Sequence, residues 1–91
     1  MAPITWAHSA DRHHVPHEDA VHAIVNAVYF VPRLDEGRTG GMAPDLYIGP
    51  GRDGRLLEVM LERVSRTEAT VFHVMLARTK IVNEARRRLG R

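Results

Sequence analysis

Two runs in the second half of the chain constrain its fold more than any other feature. RLLEVMLERV (55–64) and TVFHVMLAR (70–78) both alternate, and the polar stretch SRTE lies within the short gap between them. Successive side chains point to opposite faces of a strand, so the pair reads as a β-hairpin whose strands each present two different faces. In the first run Leu57, Val59 and Leu61 oppose Glu58, Met60 and Glu62; in the second, Phe72, Val74 and Leu76 oppose Val71, His73 and Met75. With the two apolar sets turned to a core, Glu58 and His73 share the other face. A four-residue turn puts His73 opposite Met60 and diagonal to Glu58, about 7–8 Å apart between backbones.

The remaining segments build around this hairpin. Ile4 and Trp6 alternate with polar or small neighbours, predicting a strand over 3–7 and then a helical turn. From Pro16 onward Ala20, Val21, Ile24, Ala27 and Val28 recur at helical steps, and Glu18 and Asp19 complement the helix's positive end. This helix is expected to leave His22 and Asn26 outside. VYFVPRL (28–34) reads as a strand that Pro32 ends or places at an edge, and DEGRTGGMAP (35–44) as a mobile loop. DLYIG (45–49) is a further strand, and PGRDG (50–54) is the turn into the hairpin. In the tail, Ile81, Val82, Ala85 and Leu89 keep helical spacing, with Arg86, Arg87 and Arg88 mostly off that face. The result is an α+β fold: an N-terminal strand and two helices, then an antiparallel sheet, then a C-terminal helix. One sheet face should be covered by helix and the other left open.

Size and composition narrow the function classes. With 91 residues, the chain makes one domain (1–91) with a single modest core. A hydrophobic content of 44% argues against wholesale disorder, and no apolar run approaches the ~20 residues of a membrane span. MAPITWAHSADR has neither the basic start nor the apolar stretch of a secretory signal, and there is no cysteine to form a disulfide framework. A soluble, cytoplasmic protein without membrane contacts is the expectation. Charge is unevenly distributed: residues 1–50 carry three arginines against six acids, whereas 51–91 carry nine arginines and one lysine against five acids. Such a basic second half suits a phosphate-bearing partner, although arginines on a solvated helix would give the same count.

Five of the six histidines (His8, His13, His14, His17 and His22) fall within residues 8–22, and HEDAVH invites comparison with the zinc motif HExxH. The spacing is wrong for it. Five helical steps leave His17 and His22 about 140° apart around the axis, too far to share an ion. His13 and His17 have the four-residue gap, but Pro16 lies between them and breaks a common helix. No metal is expected here, and solvated side chains are the reading for His8, His14 and His22.

Taken in order, ITW (4–6), RHHVPHEDAVHAI (12–24), YIG with GRLLEV (47–49 and 54–59) and VFHVMLAR (71–78) resemble the BrnT toxins. These belong to the RelE-like ribonuclease group of bacterial type II toxin–antitoxin systems, and the resemblance spans nearly the full chain. It implies a RelE-like fold and a translation-inhibiting endoribonuclease that needs neither metal nor cofactor. Arg12 and His13 stand where the family has a lysine–histidine pair, and Arg78 at the arginine closing its late strand. Departures are His14 at a glycine position, Lys80 placed after a threonine, and the long 35–44 loop. The implied partners are RNA, a cognate antitoxin and, only through the antitoxin complex, an operator DNA.

RNA cleavage requires a base for the 2′-hydroxyl, charge stabilisation on the phosphoryl oxygens and an acid for the leaving oxygen. Glu58 or His73 is the candidate base, Arg78 the phosphate clamp, and His73 or His13 the acid. Arg12, Arg55, Lys80 and the tail arginines are candidate contacts to the RNA backbone, and Tyr47 is a candidate to stack on a base. Solvated sheet residues and ordinary ion pairs are the bland reading of the same positions. Met60 and Met75 read as packing for a covering element or a partner protein. A non-catalytic module binding nucleic acid or an acidic partner is the alternative function, and a toxin acting on a protein such as gyrase is a third.

Overall fold

The structure, a computed structural model, describes residues 4–34 and 44–90. In chain order it contains β1 (Ile4–Trp6), a 3₁₀ turn (His8–Asp11), α1 (His17–Val25), β2 (Tyr29–Val31), β3 (Asp45–Pro50), β4 (Leu56–Arg63), β5 (Ala69–Leu76) and α2 (Thr79–Arg88). The loop expected over 35–44 lies, apart from Pro44, outside the described residues. The strands form one sheet in the order β1-β5-β4-β3-β2. Neighbours from β2 to β5 pair antiparallel, and β1 joins β5 in parallel, so the sheet is mixed. No helix among the described residues is long and apolar enough to cross a membrane.

Two helical segments follow β1, the 3₁₀ turn and α1, and the chain is broken between them. His14 has φ 59° and Pro16 caps α1, so the 3₁₀ turn cannot run on into the helix. A β-carbon in that left-handed region costs about 1–2 kcal/mol, a cost glycine avoids. On one face of the sheet Ala20 and Ala23 of α1, with Ala10, pack on Leu57, Val59, Leu61, Val71 and Val74. The helix lies so low over β3 that a β-carbon on Gly49 would come 2.2 Å from the Ala23 carbonyl oxygen. Asp19 fixes the start of α1 to the β3–β4 turn, accepting hydrogen bonds from the Arg52 backbone N–H (3.0 Å) and Nε (2.7 Å). His22 is also drawn inward, its Nδ1–H donating to the Pro50 carbonyl (2.8 Å), and so is not left outside as expected.

The second face is covered as well, which corrects the expectation of an open sheet. Ile81, Val82 and Ala85 of α2, and Leu89 just after it, pack with Met60 on Val31, Leu34, Leu46 and Ile48. The amphipathic stripe of α2 must leave water, and α1 already occupies the first face. Met60 therefore packs beneath this chain's own helix rather than awaiting a partner. α2 packs toward the β2 side, and His73, on β5, keeps 23% of its side-chain surface exposed.

The hairpin register is Met60 opposite His73 and Glu58 opposite Met75, with Leu61 then pairing Val71. Phe72 is the extra residue of a β-bulge. The bulge reverses the alternation, so Val71 joins Val74 in the α1-side core instead of sharing the face of His73.

Candidate active site

Glu58 is the hub of the site, and its side chain is fully buried (0% exposed). Four donors converge on it. His73 Nε2 lies 2.7 Å from Oε2; the Arg78 backbone N–H donates to Oε1 at 2.9 Å; and the Arg78 guanidinium donates through Nε (3.1 and 3.2 Å) and Nη2 (2.7 Å). Topology brings these groups together: β4 and β5 are hydrogen-bonded neighbours, and Arg78 follows β5 as the capping residue of α2. A carboxylate is almost never this buried unless it is paired. Here burial pushes the carboxyl up, but the hydrogen bonds from His73 and Arg78 outweigh it and hold the group down at about 2.

That arrangement corrects the role of Glu58. A carboxylate this acidic, with all its donors in place and no exposed surface, is a poor proton acceptor for a substrate; it is a positioning residue. Being ionised, it can only accept, so His73 Nε2 must carry the proton. Neutral His73 then has its lone pair on Nδ1, the nitrogen not bound to Glu58. Arg78 behaves similarly: its Nε/Nη2 edge grips Glu58, leaving Nη1 and the second Nη2 proton as another fork suited to a phosphate. Its side chain is 40% exposed.

His13 joins the cluster from the other side of β5. Its ring meets that of His73 edge-on, with centroids 6.2 Å apart and an interplanar angle of 78°. β1 pairs with β5 only along Ala69–Val71, and the 3₁₀ turn packs on β5. Ser9 Oγ–H donates to the Phe72 carbonyl (2.7 Å), anchoring the turn at the bulge and so setting His13 beside His73. Ser9 escaped the sequence reading, and only its place five residues before His14, in a polar turn, hinted at it.

The remaining candidates divide. Arg12 is exposed at the end of the 3₁₀ turn, next to His13. Arg55 borders a cavity of about 200 Å³ together with His13 and His14, its Nε donating to Asp53 (2.8 Å). Lys80 is exposed on the first turn of α2 and shares a groove with Arg78. Tyr47 is misplaced for the role expected of it. It packs in the α1-side core, 4.8 Å from the Phe30 ring, and so lies across the sheet from Glu58. It cannot stack on a base held at His73 and Arg78, because β3 places Leu46 and Ile48 on that face.

The histidine-rich stretch separates into unrelated roles. His17 stacks on Trp6 (3.8 Å, 5° between planes), and its Nε2 reaches Asp11 Oδ1 at 2.6 Å. His22 is held by Pro50, and His8 and His14 are exposed. Among the described residues no three His, Asp or Glu side chains are grouped as a metal would require. No family profile matches the chain, and no curated protein or solved structure matches it.

Proposed function

We propose that this chain is a metal-independent endoribonuclease, the BrnT-like toxin of a type II toxin–antitoxin system, acting in the cytoplasm to inhibit translation. The observation carrying this reading is the buried Glu58 carboxylate, which holds Arg78 and His73 together at the sheet surface with His13 against His73. The resemblance to BrnT toxins supplies the biological setting, including a cognate antitoxin that brings the complex to operator DNA.

In this mechanism the 2′-hydroxyl gives its proton to His73 Nδ1 as the 2′-oxygen attacks phosphorus. Arg78 binds the phosphoryl oxygens through its free edge and stabilises the charge that develops there. The bond from phosphorus to the 5′-oxygen breaks, and protonated His13 donates to the leaving oxygen. The products are a 2′,3′-cyclic phosphate and a 5′-hydroxyl end. Each proton transfer contributes typically ~10²–10⁴ in rate, and the two imidazoles are near enough to serve one phosphodiester.

Purified protein should cut single-stranded RNA in excess EDTA, and His73→Ala and Arg78→Ala should each lose most of that activity. Intact RNA with folded wild-type protein would refute the proposal. Salt-sensitive RNA binding in the same experiment would then favour a non-catalytic nucleic-acid-binding module.

A further inference from the structure

On the same face as Glu58, a groove of about 750 Å³ opens between α2 and β4. Leu34, Met60 and Ile81 give it an apolar floor; Arg78, Lys80, Arg87 and Arg88 line it with positive charge. Arg78 belongs to both places, so the groove leads directly away from the Glu58 cluster. Lys80 and Arg87 are seven residues apart on α2, about 10 Å along the helix axis. The cations therefore form a track rather than a point, the geometry of a charged backbone lying beside a helix.

One acid interrupts the track. Glu84 lines the same groove and accepts hydrogen bonds from Arg87 Nη2 and from Arg88 Nε (2.8 Å). Arg87 and Arg88 are thus partly occupied, whereas no ion pair to Lys80 occurs among the described residues.

We propose that this groove binds the single-stranded RNA segment adjoining the cleavage site, with phosphates on Lys80, Arg87 and Arg88 and a base against the Leu34–Met60–Ile81 floor. Glu84 restrains that binding by competing for the two arginines. That the strand is cut rests on the proposed ribonuclease function; that the groove binds it does not. RNA fits better than an acidic peptide because the groove pairs an apolar floor with spaced cations and continues from the free fork of Arg78.

The test uses the full chain and a fluorescently labelled 2′-O-methyl RNA oligonucleotide, which lacks the attacking hydroxyl and cannot be cut. Binding is followed by anisotropy across a salt series. Lys80→Ala and Arg87→Ala should weaken binding several-fold, each reducing the slope of log K against log salt by about 0.7. Glu84→Gln should tighten it several-fold. Glu68→Gln makes the same charge change in the β4–β5 turn, at the far end of the hairpin, and should leave affinity near wild type. All four positions are at the surface or partly exposed, and circular dichroism checks their folding.

Wild-type affinity in Lys80→Ala and Arg87→Ala, or equal effects of Glu84→Gln and Glu68→Gln, would overturn the proposal. So would a poly-glutamate peptide that binds as tightly as the RNA with the same response to these variants. A protein that binds the uncuttable strand as described but leaves ordinary RNA intact would sink the ribonuclease reading and leave the groove assignment standing.

Discussion

Replacing Glu58 with glutamine keeps the shape of the side chain while removing what the structure requires of it. The carboxylate receives hydrogen bonds from His73 Nε2, the Arg78 backbone and two nitrogens of the Arg78 guanidinium. Glutamine offers one acceptor oxygen and turns an amide NH₂ toward the remaining donors. Removing one partner of a buried ion pair costs about 3–5 kcal/mol. Water can reach Arg78 and His73, whose side chains are 40% and 23% exposed, so the lower end applies: about 3 kcal/mol. A 91-residue domain has roughly 5–14 kcal/mol in total, at ~0.05–0.15 per residue. The loss is therefore large but leaves a folded protein. Urea unfolding followed by the fluorescence of Trp6, the sole tryptophan, measures it. With a slope of ~1–3 kcal/mol per molar urea, the midpoint should fall by roughly 1–3 M. Glu58→Leu combined with Arg78→Met should recover at least half of the loss, because an apolar pair of similar volume replaces a buried ion pair at little cost. A loss under about 1 kcal/mol for Glu58→Gln would refute the claim that this carboxylate holds the site together.

Acid should expose the same interaction. The Glu58 carboxyl is lowered from 4.5 to about 2 in the folded protein, so its stabilisation is complete above 4.5 and is lost as pH falls through about 2. Over that window wild type should lose stability relative to the Glu58→Leu/Arg78→Met variant, measured by urea midpoints at each pH; parallel curves would contradict the assignment. Gly49→Ala should cost about 2 kcal/mol or more, because its β-carbon meets the α1 backbone at 2.2 Å, and thermal unfolding would show a lower Tm. His14→Gly should raise stability by up to about 1 kcal/mol, since φ is 59° there; an unchanged or lower urea midpoint would count against the strain.

The part of this structure most legible in the sequence was the hairpin, because alternation over two long runs and a short turn leaves few registers. His73 opposite Met60 was expected from a four-residue turn; the turn is five residues long, between Arg63 and Ala69, and the bulge at Phe72 restores the expected pairing. The bulge at Phe72 was not legible, since an extra residue inside VFHVM leaves an apolar string that still looks alternating. Tyr47 was ambiguous for a related reason: β3 is covered on both faces, and a strand buried on both sides has no polar face to mark direction. The stripe of α2 announced that it must be buried but not where, and its landing on the second face removed the open sheet. Burial of Glu58 could not be read from a residue type that is usually solvated; it required seeing β4, β5 and the start of α2 converge.

In the proposed mechanism Glu58 fixes the proton on His73 Nε2 and so leaves the Nδ1 lone pair as the base. Nitrogen-15 NMR of the imidazole, recorded at alkaline pH where the ring is neutral, reads this directly. The structure predicts a single tautomer with Nε2 protonated, giving way to a mixture in Glu58→Leu. A wild-type ring protonated on Nδ1, or an averaged signal indifferent to the loss of Glu58, would contradict it.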